Sequence, residues 1–216
     1  MLTFDPQTLQ PNVVYNLITT TITPRPVAWV STLSAEGIRN LAAFSYFNAM
    51  SSLPPMVVFS VGVYRDGRVK DTLNNLRAVS ECVIHIGDES LIPQIELSGL
   101  EFPSEIDEFN ETRLTALPSE VVRPPRIAEA KIALECAVRE IHPMPAPSRN
   151  TLVICEVLRF HIHPDVLPNP AEGYVDVLKV NPVARAGKKE FVLLNRLVDG
   201  LPLMEAFRHE TKQEQP

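Results

Sequence analysis

Residues 26–42 read PVAWVSTLSAEGIRNLA, and this stretch decides the fold. The part from Pro26 to Leu33 is apolar and rich in β-branched residues, which is typical of a strand. Residues 34–37, SAEG, supply a turn that ends on glycine, and IRNLA then resumes the strand pattern. The sequence therefore predicts a β-hairpin at this point of the chain.

Four other segments have the composition or the periodicity of strands. Residues 55–62, PMVVFSVG, and residues 82–87, CVIHIG, are short apolar runs that suit strands buried on both faces. In residues 132–139, apolar side chains alternate with a second set that includes Glu135, which predicts a half-buried strand. Residues 151–162, TLVICEVLRFHI, predict another long strand.

Helical patterns are few and short. The first helix is predicted after Pro11 and before Pro24, with Val14, Leu17 and Ile18 on one face. At least six strands against two or three short helices exclude the strand–helix alternation of a doubly wound nucleotide-binding sheet. A closed or partly closed antiparallel β-barrel is the predicted fold class. We expect one domain over residues 1–204 and a polar, mobile tail over residues 205–216.

Composition and charge restrict the partners and the compartment. A content of 45% hydrophobic and 21% charged residues is that of an ordinary globular protein, and a formal net charge of −6 disfavours nucleic acids and acidic membranes. No signal peptide or membrane span is recognisable, so cytoplasmic residence is expected. Cys82, Cys136 and Cys155 form no CxxC pair, and we interpret them as reduced core residues.

Residues 65–73, RDGRVKDTL, carry the strongest chemical signal. They stand between a buried strand and a predicted helix for which Asp71 or Thr72 is a natural N-cap. Unpaired N–H groups at the start of this helix, together with Lys70 and Arg65 or Arg68, would make a phosphate-sized anion site. The alternative is that Asp71 caps a surface helix and that the basic side chains are solvated.

The sequence lacks the motifs that several other chemistries need. The sequence contains neither GxGxxG nor GxSxG, and Arg68 and Val69 stand where a P-loop needs Lys and then Ser or Thr. His161 and His163 would share one face of a strand, but no third metal ligand is in view, so hydrogen-bonded or solvated histidines are expected. His85 is interpreted as a satisfied residue at a core edge. We assign no catalytic residue and no metal site.

The segment TPRPVAWVSTLSAEGIRNLAAFSYFNAMSSLPPMVVFSVG, followed by KDTLNNL, resembles the flavin reductase-like, FMN-binding split-barrel family. The resemblance continues through NTLVICEVLRFHIHPDVL and VNPVARAGKKEF, and it covers about residues 10–195. It implies a mainly β, antiparallel split β-barrel of Greek-key type with a few short peripheral helices. It also implies FMN as the cofactor.

The same resemblance implies the site residues. Those that correspond to the flavin-lining segments are Trp29, Ser31, Thr32, Asn40, Ala42, Phe44 and Ser45. Those that correspond to the phosphate-binding segment are Lys70, Asp71 and Thr72. Hydroxyl groups suit the polar edges of an isoalloxazine ring, and aromatic rings suit its face. Ala43 stands where the family usually has proline, which suggests a less rigid loop.

The resemblance implies an oxidoreductase in which NADH or NADPH reduces bound FMN, which passes electrons to free flavin or to another small molecule. An FMN-dependent oxidoreductase of a specific organic substrate is the alternative, because residues 99–126 could cover the flavin. A non-catalytic FMN-binding or electron-carrier protein is a third possibility. The resemblance also suggests a homodimer with the flavin near the subunit interface.

Overall fold

The computed structural model describes residues 1–200, which contain twelve strands and five α-helices. In chain order the strands are β1 (Arg25–Pro26), β2 (Ala28–Leu33), β3 (Arg39–Phe44), β4 (Phe47–Ser52), β5 (Pro55–Val61), β6 (Glu81–Ile86), β7 (Ala116–Leu117), β8 (Arg126–Ile127), β9 (Ile132–Pro143), β10 (Thr151–Ile162), β11 (Val183–Arg185) and β12 (Phe191–Leu193). The helices are α1 (Pro11–Thr21), α2 (Asp71–Val79), α3 (Ile92–Leu97), α4 (Glu108–Thr112) and α5 (Val177–Val180). The tail predicted for residues 205–216 lies outside the described residues.

Seven strands form one antiparallel sheet in the order β3-β2-β6-β9-β10-β5-β4. The ring centroids of Phe44 in β3 and Phe59 in β5 are 5.6 Å apart, although these strands lie toward opposite ends of the sheet. The sheet therefore curls around a shared interior. The predicted mainly β, antiparallel barrel is confirmed.

The predicted hairpin is the pair β2–β3. Its register runs from Ala28 opposite Phe44 to Leu33 opposite Arg39. The turn contains Gly37 at a φ of +86°, a backbone conformation that glycine adopts at little cost. The strands predicted at residues 55–62, 82–87 and 151–162 correspond to β5, β6 and β10.

Both faces of β2 are buried, and they belong to two different cores. Ala28 and Val30 face the barrel interior, where α2 contributes Leu73 and Leu76. Trp29 points the other way, into a second cluster with side chains of α3 and α4. The three cysteines are free and buried in the first cluster, as predicted from their spacing.

The helices are more numerous than the sequence predicts. Helix α1 begins at Pro11 and ends before Pro24, as expected from its apolar spacing. Helices α3, α4 and α5 have 6, 5 and 4 residues. Segments this short contain too few turns to show a helical period.

Strand β9 differs from the half-buried strand that its alternation predicts. Glu135 is 0% exposed, and its carboxylate accepts hydrogen bonds from the backbone N–H groups of residues 120–122. It also bonds to Nε2 of His161 at 2.6 Å. The loop that follows β7 covers the outer face of β9, and a periodicity within one strand carries no information about such a cover.

The histidines have separate hydrogen-bonding roles. His85 is fully buried, its Nδ1 lies 2.9 Å from the carbonyl oxygen of Trp29, and its Nε2 accepts the N–H of Ile127. Burial lowers the pKa of His85 to about 4, so the ring is neutral and satisfied inside the core rather than at its edge. His161 contacts Glu135, whereas His163 lies beyond β10 and accepts the N–H of Asp165. Residues 1–200 bring no three metal-ligating side chains together.

None of the helices in the described part of the chain is long and apolar enough to cross a membrane.

Candidate functional site

A cleft lies where β3 leads into β4. It consists of two adjoining cavities of about 320 and 370 Å³, which share Tyr15, Ala43 and Ser45 in their walls. Ligand pockets are typically about 300–1,000 Å³ in volume, so each cavity could hold part of a nucleotide-sized ligand. We call the first the Lys70 cavity, because Lys70 lines it, and the second the basic cavity, because five basic residues line it.

The Lys70 cavity combines aromatic, hydroxyl and charged side chains. Its walls are formed by Tyr15, Thr19, Ala43, Phe44, Ser45, Tyr46, Ser60, Gly62, Lys70 and Asn150. Partial burial raises the pKa of Tyr46, and the nearby Tyr15 adds to that effect while Arg25 opposes it. Three aromatic rings, two serines and one ammonium group suit a ligand with a broad apolar face, polar edges and one anionic end.

Helix α2 begins beside Lys70. This residue occupies the N-cap position with extended backbone, and no side chain caps the helix. The prediction that Asp71 or Thr72 is the N-cap is therefore wrong by one or two residues. The first backbone N–H groups of α2, those of Asp71 and Thr72, make no hydrogen bond to a backbone carbonyl of the described residues, because an α-helix leaves its first N–H groups without intrahelical partners.

Tyr64 contacts the side chains of both Lys70 and Asp71. The Lys70 ammonium lies 4.9 Å from the centroid of the Tyr64 ring, whose hydroxyl donates to the Asp71 carboxylate at 2.8 Å. Partial burial lowers the pKa of Lys70, whereas burial and the bond to Asp71 raise that of Tyr64. Because Asp71 is engaged by the Tyr64 hydroxyl, its carboxylate is less of an obstacle to an anion at the start of α2.

A buried polar network lies behind the start of α2. The Asn40 side-chain oxygen accepts from the hydroxyls of Thr72 at 2.8 Å and Thr32 at 3.2 Å. Its Nδ2 donates to Glu108 at 2.9 Å, and Asn75 donates to Thr32 at 3.0 Å. The network joins β2, β3, α2 and α4 through side chains that are all buried.

Glu108 is the charged member of that network, and sequence reasoning missed it. Its second carboxylate oxygen accepts the N–H of Leu41 at 3.1 Å. Burial raises the pKa of Glu108 to about 7, although the bonds from Leu41 and Asn40 act in the opposite direction. The residue stands in the stretch DEFNE, where nothing in the sequence distinguishes it from the half-buried Asp107 or the exposed Glu111.

The structure brings only three of the ten predicted site residues to the cleft wall, namely Phe44, Ser45 and Lys70. Trp29 and Ser31 are 0% exposed and donate to Ser98 and to the carbonyl of Pro125, so they offer no surface to a ligand that enters from solvent. Thr32, Asn40 and Thr72 belong to the buried network, Ala42 packs against the barrel core, and Asp71 bonds to Tyr64. Sequence reasoning missed Tyr15, Tyr46 and Asn150, which have no local motif.

The basic cavity contains residues from distant parts of the chain. Its charged side chains are Arg25, Arg65, Glu96, Arg185, Lys188 and Lys189. Glu96 forms an ion pair with Arg185, whose guanidinium also stacks 4.0 Å from the centroid of the Phe191 ring. Sequence reasoning named Arg65 as a candidate for the anion site and Arg25 as an alternative place for the phosphate. Nothing in the sequence indicated that Arg185, Lys188 and Lys189 lie beside them.

The Flavin reductase like domain family matches residues 20–177 of this chain. The chain belongs to this family. Membership of the flavin reductase-like family supports a flavin as the cofactor and a flavin oxidoreductase as the general class of protein. It agrees with the resemblance that the hairpin and the KDT segment carry.

Solved structures agree with this assignment. Nitrilotriacetate monooxygenase component B from Bacillus cereus is 31% identical, with a TM-score of 0.87 over 92% of this chain and 98% of that one. The 2-nitrobenzoate 2-nitroreductase NbaA of Pseudomonas fluorescens is 27% identical, with a TM-score of 0.82 over 92% and 94%. A protein with a split barrel domain from Shewanella frigidimarina has a TM-score of 0.80 at 17% identity, over 92% and 98%. The fold of the flavin reductase-like chain is a split barrel.

Replacing Asn40 tests how far the buried network stabilises the structure. Asn40→Ala leaves two buried hydroxyls without their acceptor and the Glu108 carboxylate without one donor. We expect the free energy of unfolding to fall by about 2–4 kcal/mol, measured by urea denaturation. Asn74→Ala, on the exposed side of α2, is the matched control and should change it by less than about 0.5 kcal/mol. Equal effects of both substitutions would contradict the role of the network.

Proposed function

We propose that this protein is an FMN-binding oxidoreductase that accepts hydride from NADH or NADPH and passes electrons to free flavin or to another small acceptor. The observation that carries the proposal is the start of α2, where Lys70 lines a cleft at the N-cap of the helix in a chain of the flavin reductase-like family. A cation beside a helix N-terminus suits one terminal phosphate, which FMN has and riboflavin lacks.

The residues of the Lys70 cavity fit FMN by their chemistry. Lys70 would hold the phosphate beside the positive end of α2. Tyr15, Tyr46 and Phe44 would cover apolar surface of the ring, while Ser45 and Asn150 are the groups available to its polar edges. When bound, the cofactor would supply a two-electron acceptor at its N5 atom for hydride from C4 of the nicotinamide.

The chain itself would bind and orient the reactants. No side chain need act as a nucleophile, because positioning C4 of the nicotinamide against N5 is the main contribution that a protein makes to such a transfer. Cys82, Cys136 and Cys155 are buried in the barrel, and hydrogen bonds between neighbouring thiols, together with burial, raise the pKa of the Cys82 and Cys155 thiols well above the ordinary value. Redox or nucleophilic chemistry at these thiols forms no part of the proposal.

An FMN-dependent oxidoreductase of a specific organic substrate is the second candidate. The likeness to NbaA, whose name describes a nitroreductase of 2-nitrobenzoate, favours it. The covering segment expected at residues 99–126 gives less support, because only Gly99 and Leu100 of that segment line the cleft. Much of the remainder packs against β3 and β9, through Glu108 and through the N–H groups that bind Glu135.

A visible spectrum tests the cofactor and the activity together. We expect the purified protein to bind added FMN. Anaerobic addition of NADH or NADPH should then bleach the flavin absorption near its long-wavelength maximum. Flavin that binds but keeps its colour with both donors would favour the electron-carrier alternative. Turnover of the donor only when an organic acceptor such as a nitroaromatic acid is added would favour the second candidate.

Lys70→Ala tests the phosphate assignment. A charge-assisted hydrogen bond is worth roughly 1.5–3 kcal/mol, so FMN affinity should fall by about ten-fold to a hundred-fold. Riboflavin has no phosphate, and its affinity should barely change in the same fluorescence titration. Arg77→Ala, in the last turn of the same helix, is the matched control. An unchanged FMN affinity in the Lys70 variant would place the phosphate elsewhere.

We also propose that the protein is a cytoplasmic homodimer, as the family resemblance suggests. An apolar cavity of about 610 Å³ lies between β4, β5 and β10, and exposed apolar side chains surround it. Phe160, which lines the cavity, is 54% exposed, and Leu53, in the turn between β4 and β5, is 91% exposed. Such a surface favours association with a second copy.

Sedimentation of the variant Phe160→Glu tests the proposed dimer. We expect wild-type protein at micromolar concentration to sediment as a dimer, and the added charge to shift it to a monomer. Leu178→Glu, at an exposed leucine of α5, should leave the dimer intact. A monomeric wild-type protein would contradict the proposal.

A further inference from the structure

The basic cavity is strongly positive in a chain whose formal net charge is −6. Its only lining carboxylate, Glu96, is paired with Arg185. The four other cations, Arg25, Arg65, Lys188 and Lys189, form no ion pair with any carboxylate of residues 1–200. Like charges gathered without counter-ions repel one another, so an anion in this cavity would relieve the repulsion.

Arg25 is the buried member of this group. It is 7% exposed, and its guanidinium donates to the carbonyl oxygens of Thr19, Ile22 and Ala186. Its Nε is buried and has no acceptor in the described part of the chain. A buried cation that is solvated only by carbonyl groups, and that keeps one unpaired donor, is poorly compensated.

The other cations reach the cavity from two separate loops. Arg65 lies between β5 and α2, and Lys188 and Lys189 lie in the turn between β11 and β12. This turn packs closely on α1, since a Cβ at Gly187 would lie 2.4 Å from Cγ2 of Thr20. The fold therefore holds exposed lysines of the C-terminal turn beside Arg25.

We propose that the basic cavity binds the phosphate groups of the dinucleotide electron donor and makes the protein select NADPH over NADH. The inference rests on the proposed function, because the cavity is a donor site only if a donor reduces flavin next to it. The two cavities share Tyr15, Ala43 and Ser45, so a ligand that lies against the flavin can extend among the cations. NADPH carries an additional phosphate monoester of about −1.5 to −2 charges. Four cations without a carboxylate partner supply more positive charge than the diphosphate of NADH needs, and the monoester of NADPH would use the excess.

Calorimetry with fragments of the donor tests the site apart from catalysis. The FMN-loaded protein is titrated with adenosine 2′,5′-bisphosphate and with AMP, which lacks the 2′-phosphate. We expect the bisphosphate to bind at least about ten-fold more tightly than AMP, as one charge-assisted contact predicts. In Lys188→Gln/Lys189→Gln this preference should fall to about two-fold or less, because both exposed charges are lost. In steady-state reduction, KM for NADPH should rise in the variant while KM for NADH changes little.

The matched control removes two positive charges elsewhere on the surface. Arg77→Gln/Arg159→Gln produces the same net charge and should retain the preference for the bisphosphate. Equal binding of the bisphosphate and AMP to wild-type protein would overturn the inference. A lysine variant that loses affinity for FMN but not for riboflavin would also overturn it, because the cations would then serve the FMN phosphate.

Failure of the proposed function would give a different result. A protein that binds no flavin, or whose bound flavin neither dinucleotide reduces, would contradict the proposed function whatever the fragments do. In that case bisphosphate binding that depends on Lys188 and Lys189 would still support a phosphate site in the cavity, and equal binding of AMP would still exclude it. The two proposals therefore fail on separate measurements.

Discussion

The side chain of Asn40 fixes where the candidate site stands on the barrel. Its oxygen accepts from Thr32 and Thr72, and its nitrogen donates to Glu108, so one carboxamide joins the first hairpin to the start of α2 and to α4. A carboxamide carries an acceptor oxygen and a donor NH2 group in one plane, so it can accept from the hydroxyls and donate to the carboxylate at the same time. Because Thr72 is the second residue of α2, this bond sets the position of Lys70 and of the start of the helix relative to β3.

The sequence allowed the barrel to be predicted because its signals are local. A polar turn between two apolar runs defines the hairpin, and alternation or apolar runs define β5, β6 and β10. The burial of Glu135 and the second core around Trp29 depend on loops and short helices that pack on the outside of the sheet. The periodicity of β2 or β9 gives no information about the segments that cover the outer face of the strand. The burial of Glu135 and the second core could therefore not be predicted.

The residues of the candidate site also fall into two groups, those that the local sequence predicts and those that only the fold brings together. Lys70 could be predicted because the strand, the basic loop and the helix start are adjacent in the sequence. Tyr15, Asn150 and Lys188 share one cleft with it only because the barrel closes and the β11–β12 turn packs on α1. The family resemblance identified the segments correctly as those near the cleft. It did not distinguish residues that line the cleft, such as Ser45, from those behind the wall, such as Ser31.

The net charge of the chain and the charge of the cleft lead to opposite expectations for an anionic ligand, and distance decides between them. The chain has a formal net charge of −6, whereas the two adjoining cavities of the cleft are lined by Lys70 and by the cations of the basic cavity. At physiological salt the screening length is about 8 Å, so carboxylates on remote surfaces contribute little to the potential inside the cleft. Cations in the walls act at contact distance and in a lower dielectric, where each interaction is several-fold stronger than in water. An acidic protein of this kind would repel a polyanion that approaches its general surface, and it would still hold a small phosphorylated ligand that fits between these walls.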